Sequence, residues 1–295
     1  MGKASEDQTL GGAYLKAKGA LREVFHEKSY ATPDLDARLL VGAACDVADH
    51  APLTEGGEGI TRDQAQKIDG YISRRCAGEP VARILGVKAF WGLDFIISEH
   101  TLVPRPETEG IVEEVLNWAM SSGRRDEALR IVDIGTGSGA ILVSLLSELP
   151  HAIGFGIDIS KPALDIAAQN AVRHGVADRF QPVLSNYGAA MDGLFDVVVS
   201  NPPYIALHEC DDLVVDVTHY DPSVALFAGK DGLDAFRQIM PWSRDHLAFD
   251  GFCMMEHGST QSEAVIEIAD DCGFEDSRCV FDMANLPRFV KIVKN

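Results

Sequence analysis

Residues 195–206 read FDVVVSNPPYIA, a run of valines ending in Ser200, Asn201, Pro202, Pro203 and Tyr204. Two consecutive prolines offer no backbone N–H and fix φ, so a strand arriving through the valines must stop at Asn201. The product is a rigid, exposed corner that carries one amide and one phenol. A Pro-Pro pair commonly does no more than end a strand. An amide and a phenol fixed at the same corner can also serve as a preorganised polar clamp in a pocket.

A second chemistry-bearing stretch is Asp133-Ile134-Gly135-Thr136-Gly137-Ser138-Gly139-Ala140. Glycines between an apolar strand and a helix let the backbone turn sharply and approach a ligand closely, and loops at the carboxyl ends of parallel strands form the crevice where ligands bind. Asp158 lies 23 residues past Gly135, at the end of the next apolar run, where a carboxylate can grip ribose hydroxyls. Gly135, Gly137 and Ala140 satisfy the dinucleotide fingerprint G-x-G-x-x-[G/A], which is weak alone. The third glycine at 139 and the carboxylate of Asp133 favour S-adenosyl-L-methionine, whose methionine part is cationic. A pyrophosphate beside Asp133 would meet a like charge.

The elements that must position these groups can be read from periodicity. Residues 10–50 carry helical spacing in Leu15, Ala20, Leu21, Val24 and Phe25, then in Leu35, Leu39, Leu40 and Ala43. Thr32 and Pro33 suit the N-cap and first turn of a helix, and Thr61-x-x-Gln64 matches a capping box for a helix reaching about Cys76. No catalytic constellation gathers before residue 80. Residues 1–80 are therefore expected to form a small all-α domain. Residues 81–103, broken by Gly86 and Gly92, read as a β-hairpin linker, and Pro104 and Pro106 hold the chain extended into a helix with acidic residues in its first turns. From 104 to 295, β and α runs alternate, which predicts a Rossmann-like, doubly wound α/β domain. The strand candidates 278–283 and 288–294 are separated by a short loop, so an antiparallel pair is expected to close the sheet.

Composition narrows the functions. Hydrophobic residues make up 46% and charged residues 24%, as in soluble globular chains. No apolar run approaches the ~18 residues of a membrane helix, and residues 1–12 lack the apolar core of a secretory signal. The Met-Gly start has Glu6 where an acylation signal needs Ser or Thr. Cys45, Cys76, Cys210, Cys253, Cys272 and Cys279 show no C-x-x-C spacing, so neither a metal site nor a disulfide framework is expected and the cytoplasm fits best. The net charge is −19, and residues 83–295 alone hold 16 basic and 32 acidic residues. A chain this acidic has little long-range attraction to phosphate backbones, so duplex DNA is not an expected partner.

Taken together, GEPVARILGVKAFWG, LVPRPETE, DIGTGSGA, VSNPPY, DPSVALFAGKDGL and MMEHGSTQSEAV resemble the PrmC/HemK family, the N5-glutamine methyltransferases of peptide chain release factors. N-P-P-Y is shared with adenine-N6 methyltransferases; N-P-P-Y combined with P-R-P-E-T-E is far more specific. The resemblance covers most of residues 78–290. It implies S-adenosyl-L-methionine as cofactor and S-adenosyl-L-homocysteine as product, without a metal. Gly135, Thr136, Gly137, Ser138 and Gly139 would wrap the methionine and ribose part with Asp133, Asp158 would hold the ribose, and Asn186 and Tyr187 would meet the adenine. The family often has Asp and Trp at those last two positions. Asn201, Pro202 and Tyr204 would be the catalytic groups, with Asn201 also facing the cofactor, and Pro203, Phe90, Arg105 and Glu107 would lie on the substrate side. Simple hairpin packing is the plain reading of Phe90, and a surface pair at a helix start that of Arg105 and Glu107. His257 in MMEHG has no partner visible in sequence and reads as structural.

The expectation is thus a cytoplasmic protein-glutamine methyltransferase acting on the G-G-Q loop of class 1 release factors, with residues 1–80 docking the substrate. An adenine-N6 nucleic-acid methyltransferase would use the same clamp but should carry a basic face or a target-recognition domain. A nicotinamide-dependent oxidoreductase leaves N-P-P-Y unexplained, and a non-catalytic release-factor binder leaves Asp133, Gly137, Asp158 and Asn201 without purpose.

Overall fold

In the computed structural model the chain divides by its internal contacts after Gly86, and the structure describes residues 9–26, 32–212 and 220–294, the side chains of 210–212 excepted. The Met-Gly start and the Cys210 side chain lie outside the described residues. The first unit is helical: α1 Leu10–Phe25, α2 Pro33–Cys45, α3 Ala51–Thr54, α4 Arg62–Cys76 and α5 Val81–Leu85. Pro33 opens α2, and Thr32 donates from Oγ1 to Asp36 Oδ1 rather than capping the backbone. Thr61 and Gln64 form the full capping box of α4. Leu10, Ala13, Ala17, Leu21 and Phe25 share the buried face of α1. Leu15, Val24 and Leu35, part of the helical spacing in the sequence, are exposed. Leu15 and Leu35 lie off the three-to-four spacing that the buried faces of their helices follow.

The second unit opens with a hairpin, β1 Val87–Phe90 and β2 Leu93–Ile96, paired antiparallel. It is shorter than expected over 81–103, because residues 81–85 are helical and Gly86 ends that helix with φ 69°. Trp91 and Gly92 make the two-residue turn with φ of 52° and 70°, the left-handed pair whose twist matches a hairpin.

The main sheet comprises β3 Arg130–Ile134, β4 Ile153–Asp158, β5 Phe180–Leu184, β6 Phe195–Ser200, β7 Leu247–Glu256, β8 Ser277–Phe281 and β9 Pro287–Val293. Their order is β5-β4-β3-β6-β7-β9-β8. The first five are parallel, and β9 runs antiparallel between β7 and β8. Helices α6 Glu109–Ser121, α7 Ala140–Glu148, α8 Lys161–Arg173, α9 Asp234–His246 and α10 Ser262–Asp271 flank it. Successive strand residues face opposite ways: Val197 and Val199 enter one core with α6, α7 and α8, while Val198 enters the other with α9 and α10. Burial on both faces is why the middle of this strand is three consecutive valines.

Two strands escape simple sequence reading. β5 has three exposed positions, Pro182 among them, and it tolerates proline because it lies at the sheet edge. β7 runs from Leu247 through Asp250-Gly251, with Asp250 at φ 58° and a register shift opposite Phe195–Val197. Asp-Gly reads as a turn, yet here it is an irregularity inside one strand. Among the described residues, no helix is long and apolar enough to cross a membrane.

Candidate active site

The parallel strands β3, β4 and β6 end side by side, and the polar loops after them meet at that edge. Ser200 Oγ donates to the Ile134 carbonyl at 2.6 Å, tying the corner after β6 to the glycine loop after β3. The loop turns through positive φ at Gly135 (76°), Gly137 (55°) and Gly139 (79°). These glycines do different work. A Cβ on Gly135 would enter open space, whereas one on Gly139 would press within 3.1 Å of Ala167 Cβ on α8. Gly135 keeps the cleft open; Gly139 lets two helices pack closely.

That cleft has about 1060 Å³ of empty space, part of it open to solvent. Gly135, Thr136, Gly137, Ser138, Asp158, Asn186, Tyr187, Asn201, Pro203, Phe90 and Arg105 all line it. Asp158 Oδ2 accepts from Gly137 N at 2.9 Å and Oδ1 from Ser160 N at 2.8 Å. Each oxygen keeps a lone pair for a ligand hydroxyl. Burial raises the Asp158 pKa, and hydrogen bonds from the Ser160 and Gly137 backbone pull it back.

Asp133 and Gly139 do not line the cleft. Asp133 is wholly buried beneath the loop, where Oδ2 accepts from Thr136 Oγ1 at 2.7 Å and Oδ1 lacks a hydrogen-bond partner. Burial pushes its pKa up to about 7, with the Thr136 hydroxyl opposing and the nearby Asp158 charge adding to the rise. Pro202 and Tyr204 line a second, smaller pocket that shares Leu102, Arg105, Asn201 and Ala225 with the large cleft. Glu107 is exposed and borders neither. Arg105 Nη2 lies 3.6 Å from Asp221 Oδ2, so the ion pair of Arg105 is with the DPSVALF segment. Phe90 is both core and wall: it is 1% exposed, packs edge-on against Phe95 with centroids 6.1 Å apart, and borders the cleft.

The corner itself is held from three remote segments. Asn201 Nδ2 donates to Thr108 Oγ1 at 3.0 Å, Thr108 Oγ1 donates to Glu256 Oε2 at 2.6 Å, and the Tyr204 hydroxyl donates to Glu256 Oε1 at 3.2 Å. Gln261 Nε2 donates to the Tyr204 carbonyl at 2.9 Å, and a Cβ on Gly232 would sit 2.2 Å from that same oxygen. Ile205 N donates to the Leu226 carbonyl and Ala228 N to the Ile205 carbonyl, around a short parallel bridge between Ile205 and Phe227. Burial and the Glu256 charge raise the Tyr204 pKa, which keeps the phenol protonated. Thr108, Glu256, Gln261 and Gly232 were not singled out in the sequence, although each lies inside a quoted motif. His257 is wholly buried outside both cavities and donates from Nδ1 to the Gly258 carbonyl at 2.8 Å. Trp242, also unforeseen, supports the 186–188 turn: a Cβ on Gly188 would collide with its indole at 2.1 Å.

Comparisons with known proteins agree with this architecture. Residues 20–86 match the model of the PrmC N-terminal domain, and residues 117–219 that of the methyltransferase small domain. The chain is 40% identical over 289 residues to the release factor glutamine methyltransferase of Bradyrhizobium diazoefficiens, covering 98% of this chain and 97% of that one. It is 39% identical to the protein of that name from Agrobacterium fabrum (86% and 88% covered), and 36% identical to that of Caulobacter vibrioides (97% and 97%). Among solved structures it superposes on the hMettl16 catalytic domain bound to a MAT2A 3'UTR hairpin, with TM-score 0.55, 16% identity, and 68% and 76% of the two chains covered. A methyltransferase from Pyrococcus furiosus gives TM-score 0.50 at 15% identity, with 77% and 99% covered. At these identities the structural likeness is one of fold, and the fold is that of methyltransferases.

Proposed function

The chain belongs to the family of release factor glutamine methyltransferases, and from that premise we propose that it N5-methylates the glutamine of the G-G-Q loop in class 1 peptide chain release factors. The observation that carries this reading is the place of Asn201: its side chain is a common wall of the glycine-loop cleft and of the smaller pocket beside Pro202 and Tyr204. A group held there meets one ligand on each side.

S-adenosyl-L-methionine, when bound, supplies an electrophilic methyl group on a sulfonium. The residues present fit that cofactor. Gly135 offers backbone without a side chain in its way, Asp158 keeps acceptor capacity for ribose hydroxyls, and the buried, unpaired Oδ1 of Asp133 places a carboxylate under the loop. Asn186 and Tyr187 would border the adenine from the far side of the cleft. Among the described residues no cluster of His, Cys, Asp and Glu could hold a metal ion, and the reading calls for none.

On the substrate side the chain must overcome a poor nucleophile, because the amide lone pair of glutamine is delocalised into its carbonyl. The Asn201 side-chain oxygen and the Pro202 carbonyl would each accept one N–H of the substrate amide. That holds its nitrogen in line with the methyl group and raises its electron density. The nitrogen gains the methyl and loses one proton, leaving N5-methylglutamine and S-adenosyl-L-homocysteine. Orientation and fixed dipoles carry the catalysis, with no strong general base. Tyr204, held by Glu256 and Gln261, would pack over the side chain, and Phe90 and Arg105 would border it. We assign substrate docking to the helical unit, since the pocket can grip only one side chain of a large protein.

The test is mass spectrometry of purified release factor incubated with this protein and methyl-labelled S-adenosyl-L-methionine. One added methyl on the G-G-Q glutamine, absent with Asn201→Ala, is the expected result. Label on a different protein or on nucleic acid would overturn the substrate.

A further inference from the structure

An Asn side chain has an acceptor end and a donor end of nearly the same shape, so placing Asn201 at a transfer site does not decide which end faces the substrate. The surroundings of its other end decide it. We propose that Thr108 and Glu256 are positioning residues that set the Asn201 amide with its oxygen toward the transfer site and its NH₂ away from it. This rests on the reading of Asn201 as the acceptor for a substrate N–H.

The argument starts at the buried end. Glu256 is 1% exposed, and Thr108, which lines the large cleft, is 4% exposed. Burial raises the Glu256 pKa, and the Thr108 hydroxyl, the Arg288 charge and the Tyr204 hydroxyl oppose the rise; both carboxylate oxygens stand as acceptors, Oε2 toward the Thr108 hydroxyl and Oε1 toward the Tyr204 hydroxyl. The single hydroxyl proton of Thr108 is therefore committed to Glu256 Oε2 at 2.6 Å. What Thr108 Oγ1 has left is a lone pair, and a lone pair demands a donor. Asn201 Nδ2 meets that demand at 3.0 Å. Turning the amide over would set Oδ1 against the lone pair of Oγ1 with no proton between them, a buried mismatch that costs as much as an unmade hydrogen bond. The order of donors is thus fixed from Glu256 outward, and its last step leaves Oδ1 free.

The same carboxylate also receives the Tyr204 hydroxyl on its second oxygen, 3.2 Å away. One buried group on β7 thereby gathers the first and fourth residues of Asn201-Pro202-Pro203-Tyr204. This accounts for a fully buried carboxylate that borders neither cavity.

Two measurements on the full-length protein test the assignment. The first follows the Asn201 side-chain NH₂ by ¹⁵N–¹H NMR with selectively labelled asparagine, the signal being identified by its loss in Asn201→Ala. Thr108→Val should shift that NH₂ pair and hasten its exchange, while Thr108→Ser should leave both as in the wild type. The second measures methyl transfer to release factor. Thr108→Val should lower kcat about 10- to 100-fold with cofactor affinity and KM nearly unchanged, and Thr108→Ser should restore it. Should Thr108→Val not fold, Glu256→Gln serves instead. It leaves one carbonyl oxygen for two donating hydroxyls and should lower kcat in the same way. An Asn201 signal indifferent to Thr108→Val, or an unchanged kcat in the folded variant, overturns the proposal. A wild-type protein that leaves release factor unmodified overturns the substrate reading alone, because the NMR comparison decides the amide orientation without substrate.

Discussion

Asn170 and Ile96 exchange two hydrogen bonds: Ile96 N donates to Asn170 Oδ1 at 2.8 Å, and Asn170 Nδ2 donates to the Ile96 carbonyl at 2.9 Å. The second proton of the same amide goes to the Ser138 carbonyl at 2.9 Å. One wholly buried side chain on α8 thus fastens the hairpin to the glycine loop, and His174 Nε2 adds a bond to the Asp94 carbonyl one turn further on. Phe90 reaches the cleft because the hairpin is anchored in this way.

Asn170→Ala leaves three backbone groups without their partner. It should destabilise the protein by about 2–4 kcal/mol, read as a lower urea midpoint with an unchanged slope. A loss under about 0.5 kcal/mol, the scale of an ordinary surface substitution, would show that water replaces the amide.

Gly135→Val places a β-branched side chain at φ 76° and aims it into open space of the cleft. The proposed cofactor site should lose at least about tenfold in affinity for S-adenosyl-L-homocysteine, equivalent to 1.4 kcal/mol, measured by calorimetry. Wild-type affinity would remove this loop from the site.

Gly232→Ala drives a Cβ to 2.2 Å from the Tyr204 carbonyl and 2.5 Å from Gln261 Nε2, at a φ of 76° that L residues avoid. The corner must shift. Methyl transfer should fall about a hundredfold, the effect of misplacing a reacting group by an ångström, while Gly135–Ser138 still binds cofactor. Transfer and cofactor affinity falling in parallel would mean that the change reaches the whole cleft.

Asp133 gives a pH signature. Its carboxyl ionises near 3.8 when solvated and near 7 in the fold, so between these values the folded state holds a proton that the unfolded chain has lost. Stability from this group therefore declines as pH rises across that window. Asp133→Asn cannot ionise, so its urea midpoint should fall less than that of the wild type between pH 5 and pH 8. Equal declines would show that Asp133 has an ordinary pKa.

Much was legible in the sequence because it is written locally. A capping box spans four residues, a proline pair ends a strand wherever it stands, and a glycine-rich turn between apolar runs has few other uses. Hence α4, β6 and the loop at Gly135–Gly139 fall where expected. β5 was hidden because Pro182 argues against a strand, and only its place at the sheet edge makes it one. Leu15, Val24 and Leu35 of the helical unit, apolar yet exposed, show the same limit: hydrophobicity marks a candidate for burial, and packing selects what is covered.

By itself, then, the sequence determined which groups are available and which backbone corners are rigid, since both follow from side-chain chemistry and φ/ψ restriction within a few residues. Only the tertiary structure decided how the Asn201 corner is held. Thr108 stands 148 positions from Glu256, and Asn201 93 from Thr108. No local rule joins residues so far apart. They meet because parallel pairing of β6 with β7 brings two strand ends to one sheet edge, and because burial there leaves each polar group only its neighbours to bond with.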